Sequence, residues 1–276
     1  MPVQRPSSTP KQELRIGDAH EPGGQIRGFF AVLNAAWGPQ RWWPAETPLE
    51  VIVGAYLTQN TAWSNVEKAI ARLKSVGILH LDGLRNIRTQ RLEQLIRSSG
   101  YFRQKAKRLK TFVRFLDAHY GGSLDRMFAT PTSLLRERLL SLNGVGPETA
   151  DSILLYAGNH AVFVVDAYTR RILERHGLAT PKTAYEEVRR LFESSLQPDL
   201  IALHGVRPTK APGSNAYPPS AMSAVRREPL VRSYNEMHAL MVGVAKNYCR
   251  KSEPRCEQCP LQRFLPAQAR PTPSPL

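Results

Sequence analysis

The sequence is short of several features that define whole classes of protein. Its 276 residues include three cysteines, all between positions 249 and 259, which does not suit the disulfide framework of a small secreted protein. It has no run of about 18 apolar residues, so we expect no membrane-spanning helix. It also has no useful stretch of alternating apolar and polar residues and no internal repeat, which argues against a β-sheet or solenoid protein.

Acidic residues are also scarce relative to basic ones. Lys and Arg number 38 against 23 Asp and Glu, which gives a formal net charge of +15. Much of the excess lies in segments that are expected to fold, at 97–114 and 170–190. A solvated basic face is the simplest explanation, but a surplus of this size favours a polyanionic partner, and nucleic acid is the most common one.

The remaining composition is that of a helical globular protein. Hydrophobic residues make up 42% of the chain and recur at helical spacing, so we predict an all-α fold with a packed core. Residues 1–24 are polar, rich in Pro and Gly, and contain acidic residues. They are predicted to form a flexible tail of a cytoplasmic protein and not a signal or transit peptide. The proline-rich stretch 200–229 is predicted to be a flexible insert.

A glycine turn between two helical segments is the first candidate functional motif. Gly144 and Gly146 follow an apolar helical stretch, and Pro147 occupies the first position of the next helix. Such a turn directs backbone N–H groups at an anion, at a helix N-terminus whose dipole favours negative charge. A short apolar run, 161–165, then leads to a lone carboxylate, Asp166. The alternatives are an ordinary helix–helix turn and an Asp that only caps the following helix.

These motifs and the cysteines together resemble one protein family. Four segments occur in the order found in that family: 57–61 (LTQNT), 142–151 (LNGVGPETAD), 164–170 (VVDAYTR) and the cysteine segment 249–259. On these segments the chain resembles the endonuclease III branch of the helix-hairpin-helix (HhH-GPD) DNA glycosylases. Within that branch, the hairpin and Asp166 segments look most like the endonuclease III-type 3-methyladenine DNA glycosylases.

The resemblance implies an architecture of two helical subdomains with a DNA-binding cleft between them. One is a six-helix-type subdomain, residues 46–160, that contains the helix-hairpin-helix motif. The other combines residues 25–45 with 161–265, and a second tail follows at 266–276. The implied partner is double-stranded DNA containing a damaged base, bound by a monomer that would be nucleoid-associated in a bacterial-type cell.

The resemblance also implies roles for individual residues of the hairpin and the segment after it. Gly144 and Gly146 would let backbone amides approach a DNA phosphate without reading sequence. Asp166 would be the catalytic carboxylate of a base excision repair enzyme. Cleavage of an N-glycosidic bond builds oxocarbenium-like charge on the sugar, which a fixed carboxylate stabilises while it activates the attacking water.

Four further residues are candidate DNA contacts. Gln59 matches the family position that inserts at the lesion once the target base has flipped out, although a polar residue ending a helix is the alternative. Tyr101, in the loop after a glycine, is a candidate wedge in the base stack, or else a core aromatic. Arg103 and Lys105 are candidate phosphate contacts, with a solvated helix face as the alternative.

Glu148 departs from the pattern of the bifunctional members, which carry a lysine at this hairpin position. A lysine amine attacks the sugar C1′ and forms a Schiff base that permits strand cleavage, which a carboxylate cannot do. We therefore predict a monofunctional DNA N-glycosylase, a hydrolase without AP-lyase activity, that removes an alkylated purine. Stacking and cation–π attraction would hold such a base, and the aromatic candidates for its pocket are Trp37, Trp42, Trp43, Tyr56 and Trp63. A simple helix N-terminal acid is the alternative for Glu148.

Three other functions remain open on the sequence alone. One is a bifunctional endonuclease III-like glycosylase and AP lyase that uses a different lysine, such as Lys105 or Lys182. Another is a non-catalytic DNA-binding relative, against which the presence of Asp166 argues. A mismatch or adenine glycosylase would need a different pocket and usually a further C-terminal domain.

The cysteine segment is a second departure from the family pattern. Cys249, Cys256 and Cys259 match three ligands of the family's [4Fe–4S] cluster, but Leu265 stands at the fourth position. No histidine follows His238, so a zinc site with three cysteines has no local fourth ligand. We predict a degenerate iron–sulfur loop, in which the cluster is lost or a non-cysteine group completes it, and we favour loss.

Overall fold

Helices are the only regular secondary structure in residues 21–196 and 217–267, the parts of the chain that the computed structural model describes. The first eight are α1 (Pro22–Trp37), α2 (Pro48–Leu57), α3 (Trp63–Ser75), α4 (Leu81–Asn86), α5 (Thr89–Leu95), α6 (Phe102–Tyr120), α7 (Leu124–Phe128) and α8 (Thr132–Leu140). After them come α9 (Pro147–Ser152), a π-helical segment (Ile153–Ala157), α10 (Ala167–Arg175), α11 (Tyr185–Ser195), α12 (Ala221–Ala224) and α13 (Pro229–Asn247). The predicted all-α class is confirmed. None of these helices is long and apolar enough to cross a membrane.

Helix α2 lies at the centre of the fold. All its residues from Leu49 to Leu57 are buried, as expected for a helix that is apolar around its whole circumference. Thr47 caps it by accepting a hydrogen bond from Glu50 N at 3.1 Å, and Pro48 occupies the first helical position. α2 packs against α3, α6, α9 and the π-helical segment. Its C-terminal end therefore presents the 58–61 turn, which contains Gln59, to the glycine hairpin.

The helices from both ends of the described chain pack together. α1 contacts α11 and α13, and α10 contacts α13. The apolar run 162–165 is buried and extended and joins this group to the hairpin helix α9. Asp166 follows at the end of that run, directly before α10. The carboxylate is thus delivered to the boundary between the two groups of helices.

A buried ion pair holds the hairpin helix and the Asp166 segment in a fixed relation. Arg136 Nε lies 2.6 Å from Asp151 Oδ1, a carboxylate with no exposed side-chain surface. The Tyr185 hydroxyl donates to Asp151 Oδ2 at 2.9 Å and accepts from Val165 N at 3.2 Å. α8, α9, α11 and the residue before Asp166 are therefore linked through a few short contacts, because a buried carboxylate must be fully partnered.

Two predicted boundaries need correction. α1 begins at Pro22, so residues 22–24 belong to a helix and not to the predicted tail; residues 1–20 and 268–276 lie outside the described residues. The predicted flexible insert, 200–229, is folded in its described part from residue 217. There Met222 is buried and its N–H donates to Ala45 O at 3.0 Å. A high proline content is typical of a loop, so these packing contacts could not be predicted from composition.

The folded part of this insert also supports the π-helical segment. Arg227 donates to Leu155 O at 3.3 Å and to Met222 O at 3.0 Å, and it also contacts the side chain of Asn159. A guanidinium beside the last carbonyls of a helix satisfies acceptors that the helix leaves open. The insert therefore contributes directly to the part of the core that carries Tyr156.

Candidate active site and DNA interface

The glycine hairpin has the geometry of an anion-binding turn. Gly144 has a φ of +79°, a left-handed conformation that glycine adopts without steric cost. Any other residue at this position would clash with Arg108, because its Cβ atom would lie 2.0 Å from Arg108 Nε. The glycine therefore leaves space for the Arg108 guanidinium. The first i→i−4 bond of the next helix runs from Ala150 N to Gly146 O. The N–H groups before it have no partner within the helix and lie at its positive end, where a phosphate binds.

Gln59 is held by this hairpin. Its Nε2 donates to Gly144 O at 3.0 Å and to Thr149 Oγ1 at 2.9 Å, and its Oε1 accepts from Arg108 Nη1 at 2.6 Å. The side chain therefore connects the end of α2 to the glycine hairpin, and its insertion at a lesion stays a prediction. Arg108 was not singled out from the sequence, because nothing there distinguishes it from its basic neighbours on α6.

The prediction that Lys105 contacts DNA phosphates is wrong. Only 1% of Lys105 is exposed, and its Nζ donates to Leu57 O at 2.9 Å and Ser99 O at 2.7 Å. Burial, and then the charge of Arg108, lower the pKa of Lys105 to about 8. Its position four residues before the buried Leu109 puts it on the inner face of α6.

Tyr101 and Arg103 lie on the surface, as a DNA contact requires. Tyr101 is 67% exposed and has a φ of +44°, at the loop position directly before α6. Large exposed aromatic side chains are uncommon in a protein whose other aromatics pack inside. Arg103 is exposed and its guanidinium lies 5.8 Å from the centre of the Phe102 ring. Both side chains remain candidates for the wedge and phosphate roles.

Asp166 both caps a helix and faces the cleft. Its Oδ1 accepts from Thr169 N at 2.7 Å, and its Oδ2 lies 3.5 Å from His238 Nε2, with 14% of the side chain exposed. Burial by itself would raise the pKa of Asp166, but the charge and hydrogen bonding of His238 and the Thr169 N–H outweigh it and lower that pKa. Capping and catalysis are therefore compatible, since each uses a different carboxylate oxygen.

Glu148 shares the electrostatic environment of Asp166. Its side chain is open to solvent in the first turn of α9. Partial desolvation of the carboxyl group by the surrounding protein, and then the charge of Asp166, raise the pKa of Glu148 to about 7, with His238 acting in the opposite direction; solvent at the exposed side chain weakens these effects. The site thus holds two carboxyl groups whose pKa values are displaced in opposite directions, a pattern that is frequent where acids and bases act in catalysis.

Glu148→Gln is expected to stabilise the protein above neutral pH. Because folding raises the pKa of Glu148 from 4.5 to about 7, the folded state favours the protonated form. The destabilisation is absent below the unfolded pKa and complete above the folded one. Thermal unfolding between about pH 4 and pH 9 should show a Tm gain for the variant that grows from near zero and levels off above about pH 8. Glu137→Gln, which removes an exposed charge from α8, is the control, and a pH-independent gain would contradict the assignment.

His238 connects Asp166 to the π-helical segment. Its Nδ1 lies 2.5 Å from the Tyr156 hydroxyl oxygen, so Tyr156, His238 and Asp166 form one continuous line of polar groups. His238 is 5% exposed and Tyr156 is fully buried. Helices that contain a π turn often carry functional residues. Sequence reasoning missed both residues, since a single His or Tyr in an apolar helix is typical of a core.

Three tryptophans gather beside this line. Trp43 lies between Trp42 and Trp63, with ring centres 5.5 and 4.9 Å away, and its ring centre is 5.0 Å from that of Tyr156. The Tyr217 ring packs against Trp42 at 5.3 Å. These side chains come from four separate parts of the chain. They place an aromatic cluster next to Tyr156, which contacts His238.

A pocket of about 250 Å³ opens on this cluster. Its lining includes Trp43 and Trp63 together with two carboxylates, Glu50 and Glu67. Lys246, on α13, has its Nζ 5.8 Å from the centre of the Trp42 ring. Burial lowers the pKa of Lys246, while the charges of Glu67 and Asp166 act to raise it. The spacing of eight residues between His238 and Lys246 puts both on one face of α13, which is the signal that could have found them.

The other aromatic candidates are core residues. Trp37 is 2% exposed and stacks on Tyr248, with ring centres 6.2 Å apart. Tyr56 is buried within α2 beside Phe112. Of the five aromatic residues predicted as pocket candidates, three therefore form the cluster and two belong to the interior.

The cysteine segment does not fit a [4Fe–4S] cluster. Cys249, Cys256 and Cys259 line one small space together with the apolar Leu265, where four thiolates are the rule. Arg175 Nη1 donates to Cys249 Sγ at 3.2 Å. Burial, and then the neighbouring thiols, raise the pKa of Cys259 to about 11, which favours the thiol over a metal-binding thiolate. Within the described ranges no three His, Cys, Asp or Glu side chains are arranged to hold a metal ion.

Contacts with α10 hold this segment instead. Arg171 Nε donates to Cys249 O at 2.7 Å, and Arg175 Nη2 donates to Lys251 O at 3.3 Å. His176, the residue that follows α10, also lines the cysteine space, and its distance from the cysteines in the sequence concealed this. Its Nδ1 lies 2.7 Å from Ile172 O and its ring packs edge-on against Phe29. The loop therefore has protein partners where a cluster would otherwise hold it.

The hairpin, Gln59 and Asp166 all fall within one family match. The model of the "HhH-GPD superfamily base excision DNA repair protein" matches residues 53–198, more than half of the chain. The chain belongs to the HhH-GPD superfamily. This membership and the names of its relatives identify the chain as a DNA glycosylase of base excision repair. One relative is the "Putative DNA repair glycosylase MJ1434" of Methanocaldococcus jannaschii, which is 41% identical over 87% of this chain and 94% of that protein.

This HhH-GPD protein is also similar to an endonuclease III and to two solved glycosylase structures. Endonuclease III of Thermotoga maritima is 28% identical over 77% of this chain and 79% of its own length. Among solved structures, the H. pylori 3-methyladenine DNA glycosylase MagIII bound to 1,N6-ethenoadenine has a TM-score of 0.65 and 28% identity, covering 82% of this chain and 97% of MagIII. A trapped endonuclease III–DNA covalent intermediate has a TM-score of 0.66 at 20% identity, covering 88% and 95%, which supports the fold.

Proposed function

We propose that this HhH-GPD glycosylase removes an alkylated purine from duplex DNA by hydrolysis. The observation that carries the proposal is the pocket lined by Trp43 and Trp63, because the Trp43 ring packs 5.0 Å from that of Tyr156, which contacts His238, the neighbour of Asp166. Aromatic faces bind a flipped base by stacking, and they attract one that carries positive charge. Glu67 in the lining favours the same cationic bases, whereas the charge of Glu50 is paired with Lys74 at 2.6 Å. The 28% identity with MagIII, whose solved complex contains an alkylated purine, agrees with this substrate class.

The proposed reaction begins with DNA held on the hairpin. Backbone amides near Gly144 and Gly146, together with Arg108, would bind a phosphate and set the register of the duplex. Tyr101 would enter the base stack, and Gln59 would leave its hairpin contacts to occupy the space of the flipped nucleotide. The free energy of unstacking is lowest for a damaged base, which contributes to selectivity.

The chemical step would use the Asp166 oxygen that the helix cap leaves available. As the glycosidic C–N bond breaks, its electron pair leaves with the base, and positive charge develops on the sugar. A cationic alkylated purine departs as a neutral base, so it needs no proton from the protein. Oδ2 of Asp166 stabilises the sugar cation, and it accepts the proton of the water that attacks C1′. Glu148 offers no amine at this position, so water is the nucleophile.

A lyase reaction remains the second candidate. The contacts of the lysines favour Lys246 over Lys105 as its nucleophile. Lys105 is bonded to two backbone carbonyls inside the protein. Lys246 is the lysine whose charge interacts with Asp166. A Schiff base on Lys246 would therefore be the alternative to hydrolysis, and reductive trapping separates the two.

A lesion panel tests the proposed function. Duplexes carrying 3-methyladenine, 1,N6-ethenoadenine, uracil or 8-oxoguanine are incubated with the enzyme, with and without later treatment with alkali. We expect release of the alkylated purines, and strand breaks only after alkali. Trp63→Ala should lower this release by roughly 5- to 100-fold, since base–aromatic stacking contributes about 1–3 kcal/mol, whereas Trp63→Phe should retain most of it. Release of uracil or 8-oxoguanine alone would overturn the substrate assignment.

We also propose that the cysteine loop carries no [4Fe–4S] cluster. Leu265 fills the position of the fourth ligand, and arginine side chains of α10 hold the loop backbone. Stoichiometric iron and acid-labile sulfide in the purified protein would contradict this.

A further inference from the structure

We propose that His238 is a positioning residue for the catalytic carboxylate, kept by the Tyr156 hydroxyl in the tautomer that directs its Nε2–H at Asp166 Oδ2. This inference rests on the proposed role of Asp166 in base release. The chain of contacts runs from Tyr156 Oη to His238 Nδ1 at 2.5 Å, and from His238 Nε2 to Asp166 Oδ2 at 3.5 Å.

The chemistry of the three groups selects one arrangement of protons. An ionised carboxylate only accepts hydrogen bonds, so Asp166 requires a hydrogen on His238 Nε2. When the imidazole is neutral, Nδ1 has a lone pair and the Tyr156 hydroxyl donates to it, whereas a protonated imidazole would donate from Nδ1 to the Tyr156 oxygen. In the opposite tautomer two lone pairs would face each other across the His238–Asp166 contact.

Packing holds the imidazole in this orientation. The rings of Phe163 and Tyr156 contact it, with centres 6.3 and 5.9 Å away, and both rings are fully buried. The π-helical turn at Ile153–Ala157 closes through Gly158 N to Ile153 O, and it carries Tyr156 at the level of His238. His238 therefore has little freedom to turn away when Asp166 changes its contacts during the reaction.

The contact between His238 and Asp166 is located where it can affect the reaction. Oδ1 of Asp166 accepts from Thr169 N, so Oδ2 is the oxygen that the helix cap leaves available for the sugar, and it lies beside His238. A distance of 3.5 Å is long for a hydrogen bond, and catalytic contacts often shorten only in the complex with substrate. Other charged groups act on the line as well: Glu148 on His238, Lys246 on Asp166, and Arg227 and Glu236 on Tyr156.

The test compares single-turnover base release in four proteins: wild type, Tyr156→Phe, His238→Gln and the double variant. His238→Gln is expected to lower the rate roughly 10- to 100-fold and Tyr156→Phe roughly 3- to 10-fold, with unchanged DNA affinity. If Tyr156 acts through His238, Tyr156→Phe has no further effect in the His238→Gln background. Independent action of the two residues would make the two effects additive. Full activity of Tyr156→Phe, or additivity, would overturn the proposal.

A measurement without substrate separates this inference from the proposed function. ¹⁵N NMR of the wild-type protein reports which ring nitrogen of His238 carries hydrogen. We expect hydrogen on Nε2, and a shift towards a mixture of tautomers in Tyr156→Phe. A neutral His238 ring with hydrogen on Nδ1 alone would refute the proposed positioning role. If the lesion panel shows that a different base is excised, the rate comparison is made on that base. In that case the substrate assignment is wrong, but the positioning role of His238 can still be tested.

Discussion

Asp166→Asn is expected to reduce base release by at least about 10²- to 10³-fold, because a neutral amide cannot stabilise the sugar cation or accept the proton of water. The fold should survive the change. Asparagine caps helices as well as aspartate does, and its amide oxygen can accept the Thr169 N–H bond that Asp166 Oδ1 accepts at 2.7 Å. Single-turnover release from an alkylated duplex and thermal unfolding are measured together.

A matched control separates this effect from general loss of charge. Asp117 on α6 pairs with Arg85 and is about one third exposed. Asp117→Asn removes the same charge from another part of the surface and should leave the release rate near that of wild type. Undiminished release by Asp166→Asn would show that another group performs the chemistry. The neighbouring Glu148 would then be the first to replace.

Glu148→Lys is expected to convert the enzyme into a DNA lyase. A lysine in the first turn of α9 would place its amine in the environment of Asp166, where it can attack C1′ and form a Schiff base. Borohydride should then trap a covalent protein–DNA adduct, and strands should break without alkali. The wild-type protein should give neither product. The expected change is therefore from no adduct to a readily detected one.

Two further variants make the lyase result decisive. Glu148→Gln should release the base without forming an adduct, since it removes the carboxylate but supplies no amine. An adduct formed by the wild type and lost in Lys246→Gln would show that Lys246 is a native lyase nucleophile, contrary to the hydrolytic proposal. Base release without any adduct in Glu148→Lys would mean that residue 148 does not reach C1′.

The local features of the site are visible in the sequence. Gly144, Pro147 and Asp166 each have an intrinsic backbone or capping preference, so a turn, a helix start and a helix cap can be predicted without tertiary contacts. The apolar run before Asp166 likewise indicates a buried segment. The family resemblance then connects these elements to DNA glycosylases, which the family match confirms.

Lys105 and the 217–229 segment show where such prediction fails. A lysine in a basic helix is usually solvated, and burial of this one depends on two carbonyls from other segments, at Leu57 and Ser99. Proline-rich composition indicates a loop, whereas Arg227 and Met222 bind partners more than 60 residues away in the chain. In both cases the deciding contacts are long-range, and local composition contains no information about them.

The helical class, the glycine hairpin, the single carboxylate that follows it, and the absence of a lysine at residue 148 can all be predicted from the amino-acid order. These properties depend on side-chain type and on backbone preferences over a few residues. The rest of the site depends on long-range packing. Trp42, Trp63, Tyr156 and His238 meet because four separate segments pack around α2 and α13. The direction of a side chain and its burial depend on those distant neighbours, so no local pattern determines them.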